Sequence, residues 1–173
     1  MPLLGTDARR DIEIHRYPLI VSALVPLVAL VLQSWLPRVM GPWALFDLPL
    51  VVTIYFAIAR RSPIYGSVLG AGMGIFEDAL THHAIGLNGV AKTVAGYLAA
   101  SLGARIDVDN HIIRVMLTLS LSLLSSLLFL FVARFMLGLE FEFRWIAEFV
   151  KAAANTAIAL VLFPVLDRTR VRE

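Results

Sequence analysis

From Pro18 onward the chain is a succession of apolar runs, separated by short clusters of arginine, glycine and proline. A helix needs about 20 mostly apolar residues to cross a hydrocarbon core roughly 30 Å thick. Six runs approach that length: about 18–36, 44–59, 63–81, 84–103, 111–133 and 145–166. The second is short and carries Asp47 and Pro49 near its start, which predicts a tilted, broken or partly interfacial helix. The third is rich in glycine (GSVLGAGMGIF), and only a few residues join it to the fourth. These two are therefore expected to be antiparallel neighbours. No linker, low-complexity tract or second domain interrupts the pattern. The expected fold is an all-α integral membrane protein: one transmembrane domain over 1–173, built as a six-helix bundle.

Composition supports that solvent. Of 173 residues, 59% are hydrophobic and 16% charged, with a mean hydropathy of +0.81. A soluble domain carries about 25% charged residues, so this chain lacks the polar residues to cover a water-facing surface. Residues 1–17 are polar, and the first apolar run is long enough to span, so it reads as an uncleaved first helix. There is no cysteine, which removes disulfides, thiolate metal sites and a cysteine nucleophile. The net charge of +2 gives no reason to expect nucleic acid.

The placement of arginine sets an orientation. With a cytoplasmic N-terminus, the inner segments hold Arg9, Arg10, Arg16, Arg60, Arg61, Arg105, Arg114, Arg168, Arg170 and Arg172. The outer segments hold only Arg38, Arg134 and Arg144. The positive-inside rule then places both termini in the cytoplasm. The hairpin between the third and fourth helices falls at the outer surface. Asp47, Glu77, Asp78, Lys92, Lys151 and Asn155 all fall in the outer half.

Ionisable groups within a bilayer usually face the bundle interior, paired or hydrated. Asp78 is expected to be a fixed acceptor in a polar notch, with Lys92 or Lys151 as its partner and Asn155 nearby. Glu77 is adjacent on the helix and points about 100° away, toward headgroups or water. Gly66, Gly70 and Gly74, spaced by four, predict close helix packing within the chain; Gly89, Gly96 and Gly103 recur at seven on the next helix. His82 and His83 read as exposed loop residues, since neighbours on a helix rarely chelate one metal. RIDVDNH (105–111) lacks the glycine and glutamate of a calcium loop and reads as a hydrated turn. LEFEFRW (139–145) reads as an interfacial aromatic anchor. Ser120, Ser122, Ser125 and Ser126 suit interhelical packing. No Ser/His/Asp set, HExxH or phosphate-binding loop accompanies them, so neither enzyme, metal nor cofactor is expected.

Residues 66–106 (GSVLGAGMGIFEDALTHHAIGLNGVAKTVAGYLAASLGARI) resemble the bacterial rod shape-determining MreD family. The resemblance is carried by Gly70 and Gly74, Asp78, the Gly86–Leu87 step with Asn88, and Gly96 with Tyr97. It implies a non-enzymatic scaffold in the inner membrane, acting with the machinery of sidewall peptidoglycan synthesis. It implies MreC as a partner, within an assembly that includes MreB, RodZ, RodA and a penicillin-binding transpeptidase. The six-helix plan is also similar to the substrate-binding subunits of energy-coupling-factor vitamin transporters. That supplies the alternative of a transport subunit, in which Asp78, Lys92, Lys151 and Asn155 would line a ligand pocket.

Overall fold

The computed structural model describes residues 18–41, 45–81, 84–106, 108, 110–139 and 144–169. Six α-helices follow in order: α1 (Leu19–Met40), α2 (Leu48–Arg60), α3 (Pro63–Thr81), α4 (Leu87–Gly103), α5 (His111–Phe131) and α6 (Trp145–Asp167). A π-helical turn, Val132–Met136, extends α5. Two of the helical stretches, His111–Met136 and Trp145–Asp167, are long and apolar enough to cross a membrane; Ile20–Leu36 and Leu48–Arg60 are shorter apolar stretches.

The second helix departs from expectation. It is unbroken and enclosed: every residue from Pro49 to Ala59 is buried, and α2 packs against all five other helices. A helix that is apolar on every side belongs in a core, and Leu50, Ile54 and Phe56 form the centre of this one. Its ends are well defined. Asp47 is the N-cap, its Oδ1 accepting from the Leu50 N–H at 2.9 Å. Arg61 stops the helix in the left-handed region (φ 51°), and α3 starts two residues later at Pro63.

The α3–α4 pair has the most extensive contact in the bundle, as the short hairpin predicts. The glycine row explains how closely it packs. A Cβ on Gly66 would strike the Gly96 carbonyl, one on Gly70 the Lys92 carbonyl, and one on Gly74 the Asn88 carbonyl. The two backbones are in direct contact, so the partner of this row is internal. Gly89 differs, facing the Ile75 side chain, while Gly103 lets α4 approach Ile58 of α2.

The outside of the bundle is apolar. Ile20, Leu24 and Val31 on α1, Val68 and Phe76 on α3, and Ile146 and Val161 on α6 are all more than half exposed. A soluble monomer rarely displays apolar surface spread over so many elements.

Candidate functional site

Two connected polar systems lie at the hairpin end of the bundle. The first closes the hairpin. Gly86 occupies the N-cap position of α4 with φ 106°, a conformation that suits glycine, and it has no side chain to cap the helix. The first N–H groups of a helix lack intrahelical partners. Asp78, fully buried near the end of α3, supplies the missing acceptor. Its Oδ2 accepts from the Gly86 N–H at 2.8 Å, the Asn88 N–H at 3.1 Å and the Gly89 N–H at 3.4 Å. Its Oδ1 accepts from the Asn88 side-chain amide at 2.8 Å. A carboxylate placed there also meets the positive end of the α4 dipole. Leu87 anchors the same turn by packing against Val132 and Ala133 of the π-helical turn.

The second system is a buried ion cluster. Lys92, one helical turn beyond Asn88, has no exposed surface. Its ammonium donates to Asp47 Oδ2 at 2.8 Å and to Asn88 Oδ1 at 3.3 Å, and it pairs with Glu77 Oε2 at 2.5 Å. An ammonium has three protons to donate; two go to Asp47 and Asn88, and the Glu77 carboxylate lies against it as an ion pair. Asn155 of α6 extends the cluster. Its Oδ1 accepts from the Asp47 N–H at 2.7 Å, and its amide donates to Ser122 Oγ of α5 at 3.3 Å. Asn88 is the bridge between the two systems, donating to Asp78 and accepting from Lys92. One continuous path thus runs from the hairpin turn through α4 to α2, α3, α6 and α5.

Several expectations need correction. Neither Lys92 nor Lys151 is the partner of Asp78, which is bound by backbone and amide N–H groups. The hairpin folds back over the end of α3, and the uncapped α4 takes up the nearer acid. Lys92 is instead paired inside the bundle with Asp47 and Glu77. Glu77 is not turned to water: its side chain is 8% exposed and meets the Lys92 ammonium. The 100° separation of the two acids is real, but it directs Glu77 toward α2 and α4. Lys151 is half-buried on α6 and makes no ion pair with Asp78 among the described residues. Tyr97 is half exposed on α4 and belongs to neither system.

His82 and His83 lie outside the described residues, as does the 140–143 stretch of LEFEFRW. Within 105–111, Asn110 caps α5 by accepting from the Ile112 N–H, and Val108 is buried; residues 107 and 109 lie outside the described residues. Ser122 and Ser125 are buried in the bundle, as expected of packing residues. No group of three or more His, Asp or Glu residues suited to a metal occurs among the described residues.

A further tie, at the opposite end, was not foreseen. Arg114 of α5 pairs with Asp167 of α6 at 2.6 Å and donates through Nε to the Val108 carbonyl. Tyr55 of α2 donates its hydroxyl to the other oxygen of Asp167 at 2.8 Å. Its signal was an acid at the end of the last apolar run and an arginine in the first turn of the fifth, both assigned to water-exposed segments.

Among the described residues, a helical bundle with an apolar exterior, and with Lys92, Asp47, Glu77 and Arg114 paired inside it, is consistent with the class of membrane helical bundles. The chain belongs to the MreD family, whose model, described as rod shape-determining protein MreD, matches residues 14–168. No curated protein and no solved structure matches it. Membership assigns it a role in rod shape determination, in a membrane-associated family of structural proteins not known as enzymes. The likeness to energy-coupling-factor subunits has no solved structure behind it and rests on helix number alone.

Proposed function

We propose that the protein is a six-span scaffold of the bacterial inner membrane, with both termini cytoplasmic, that binds MreC and helps organise sidewall peptidoglycan synthesis. The observation that carries this reading is the family match over residues 14–168. MreB, RodZ, RodA and a penicillin-binding transpeptidase are then the wider assembly. The arrangement of polar groups supports a scaffold over a transport subunit. A ligand cage needs polar groups left free to converge on a ligand. Here Lys92, Asn155 and Asp78 are engaged with Asp47, Glu77, Ser122 and the α4 N-terminus. Without a hydrophobic drive between helices in lipid, close packing and internal polar ties hold such a bundle together, leaving the exterior to partners and lipid.

Two measurements test this. MreC co-expressed with the tagged protein should co-purify after detergent extraction; its absence overturns the partner assignment. The chain has no cysteine, so single-cysteine labelling is clean. A cysteine replacing Ile85 should react with an impermeant reagent in intact cells, and one replacing Arg105 only after permeabilisation. The reverse pattern overturns the topology.

A further inference from the structure

The ion cluster at the hairpin end is unbalanced. Asp47 and Glu77 bring two carboxylates to the one ammonium of Lys92, all three nearly or fully inaccessible. The two acids are not equivalent. Both oxygens of Asp47 are occupied as acceptors, Oδ1 by the Leu50 N–H and Oδ2 by Lys92, and its backbone N–H is fixed by Asn155. That carboxylate is organised for the ionised form. Glu77 is met only by Lys92 among the described residues, and no neutral donor reaches its Oε2. It also sits one turn from the end of α3 at Thr81, close to the hairpin surface.

The charged groups around Glu77 come from each element packed on this region. Asp47 lies on the α2 side and Lys92 on α4. Asp78, on α3 itself, is turned to the α4 N-terminus. Lys151 lies on α6, with Glu148 one turn before it. At this end α1 brings the neutral Gln33, bonded to Phe46 and Leu48, while its Arg38 is exposed. Burying two like charges against one opposite charge is costly. A proton on one carboxylate removes the excess.

We propose that Glu77 is a proton-binding site, taking up and releasing one proton through the hairpin end of the bundle while Lys92 remains an ammonium held by Asp47. The step is carboxylate plus a proton from water giving carboxylic acid, with no other bond changed. In the loaded state the cluster is a one-to-one Asp47–Lys92 pair, with Glu77 as a neutral neighbour. In the released state one negative charge is in excess. Lys151 lies half-buried on α6, which packs against α2. The inference rests on the buried cluster and not on MreC binding, so the two can fail separately.

The test is infrared difference spectroscopy of the purified full chain in lipid, recorded as pH is lowered across the range in which its helix content is unchanged. The expected result is a growing carboxylic-acid carbonyl band from a buried site, absent in Glu77→Gln. Imidazole groups do not give this band. Asp47→Asn leaves Lys92 to Glu77 alone, so the midpoint should move to lower pH, a readout that survives if Glu77→Gln does not fold. A wild type without the band, or a band that persists in Glu77→Gln, overturns the proton site.

Discussion

The two ends of the bundle are tied by ionic contacts of different construction. At the hairpin end an inaccessible lysine joins α4 to Asp47 beside α2 and to Glu77 on α3, with Asn88 completing its shell. At the opposite end Arg114 and Asp167 join α5 to α6, and the Asp167 side chain keeps 24% of its surface open. Tyr55 links that pair to α2. The central helix is thus held by a dry tie at one end and a wetter one at the other. Coulombic attraction is strong where water is excluded, but removing one partner there strands the rest; a partly hydrated pair is weaker and water replaces what is lost. The hairpin end should therefore be intolerant of single changes, and the opposite end adjustable.

Three substitutions measure that contrast. Lys92→Met should have the largest effect, because it leaves two carboxylates buried without a cation; a loss of about 3–5 kcal/mol is expected. Reversible denaturation in mixed micelles would read it. Adding Asp47→Asn and Glu77→Gln should restore part of the loss, and a strictly additive triple mutant would show that the three do not form one unit. Asp78→Ala comes next. It strands the hairpin N–H donors, and a loss of about 1–3 kcal/mol is expected, with hydrogen exchange faster at Gly86, Asn88 and Gly89 than elsewhere in α4. Uniform exchange along α4 would mean that the turn is held by something else. The smallest effect belongs to Tyr55→Phe, which removes one hydroxyl donor to Asp167 and should cost about 0.5–1.5 kcal/mol. Raising salt should weaken the Arg114–Asp167 tie and leave Lys92 unaffected, since screening acts on accessible charges. Equal salt sensitivity at both ends would erase the distinction.

Much of this was legible in the sequence, for reasons that separate depth from direction. Runs of apolar residues locate helices along the chain, and arginine clusters mark their ends. Spacing by four identified the face on which α3 meets α4. The same reading placed Asp47, Glu77, Asp78, Lys92 and Asn155 at one level of the bundle. It did not say which acid faces which base. Asp78 and Glu77 are neighbours at nearly the same depth, and choosing between them needs the path of the hairpin. One clue was present. Gly86–Leu87–Asn88 opens a helix with no capping side chain at Gly86, so an acceptor had to come from elsewhere, and Asp78 was the acid nearest the turn. The Asn88–Lys92 spacing of four likewise put both on one face of α4. The pairing of Lys92 with Asp47 spans 45 residues, and no local pattern specifies it. The burial of α2 was missed for a related reason: shortness and an acid at the start suggested an interface, whereas a helix surrounded by others has no bilayer thickness to match.

That same central helix sets a problem for synthesis in the cell. Its thirteen residues give a length of about 20 Å, well short of the hydrocarbon core, and Asp47 stands at its head. A chain is made at about 5–20 residues per second, so Lys92 emerges roughly 2–9 s after Asp47. Asn155, 108 residues away, follows roughly 5–20 s after Asp47 on the same clock. Until α4 is made α2 lacks its cation, and until α5 and α6 follow its enclosure is incomplete. A segment this short, with an unpaired acid at its head, is therefore expected to stay at the insertion machinery until α4 arrives. The order in which helices leave the translocon would then differ from the order in which the ribosome makes them.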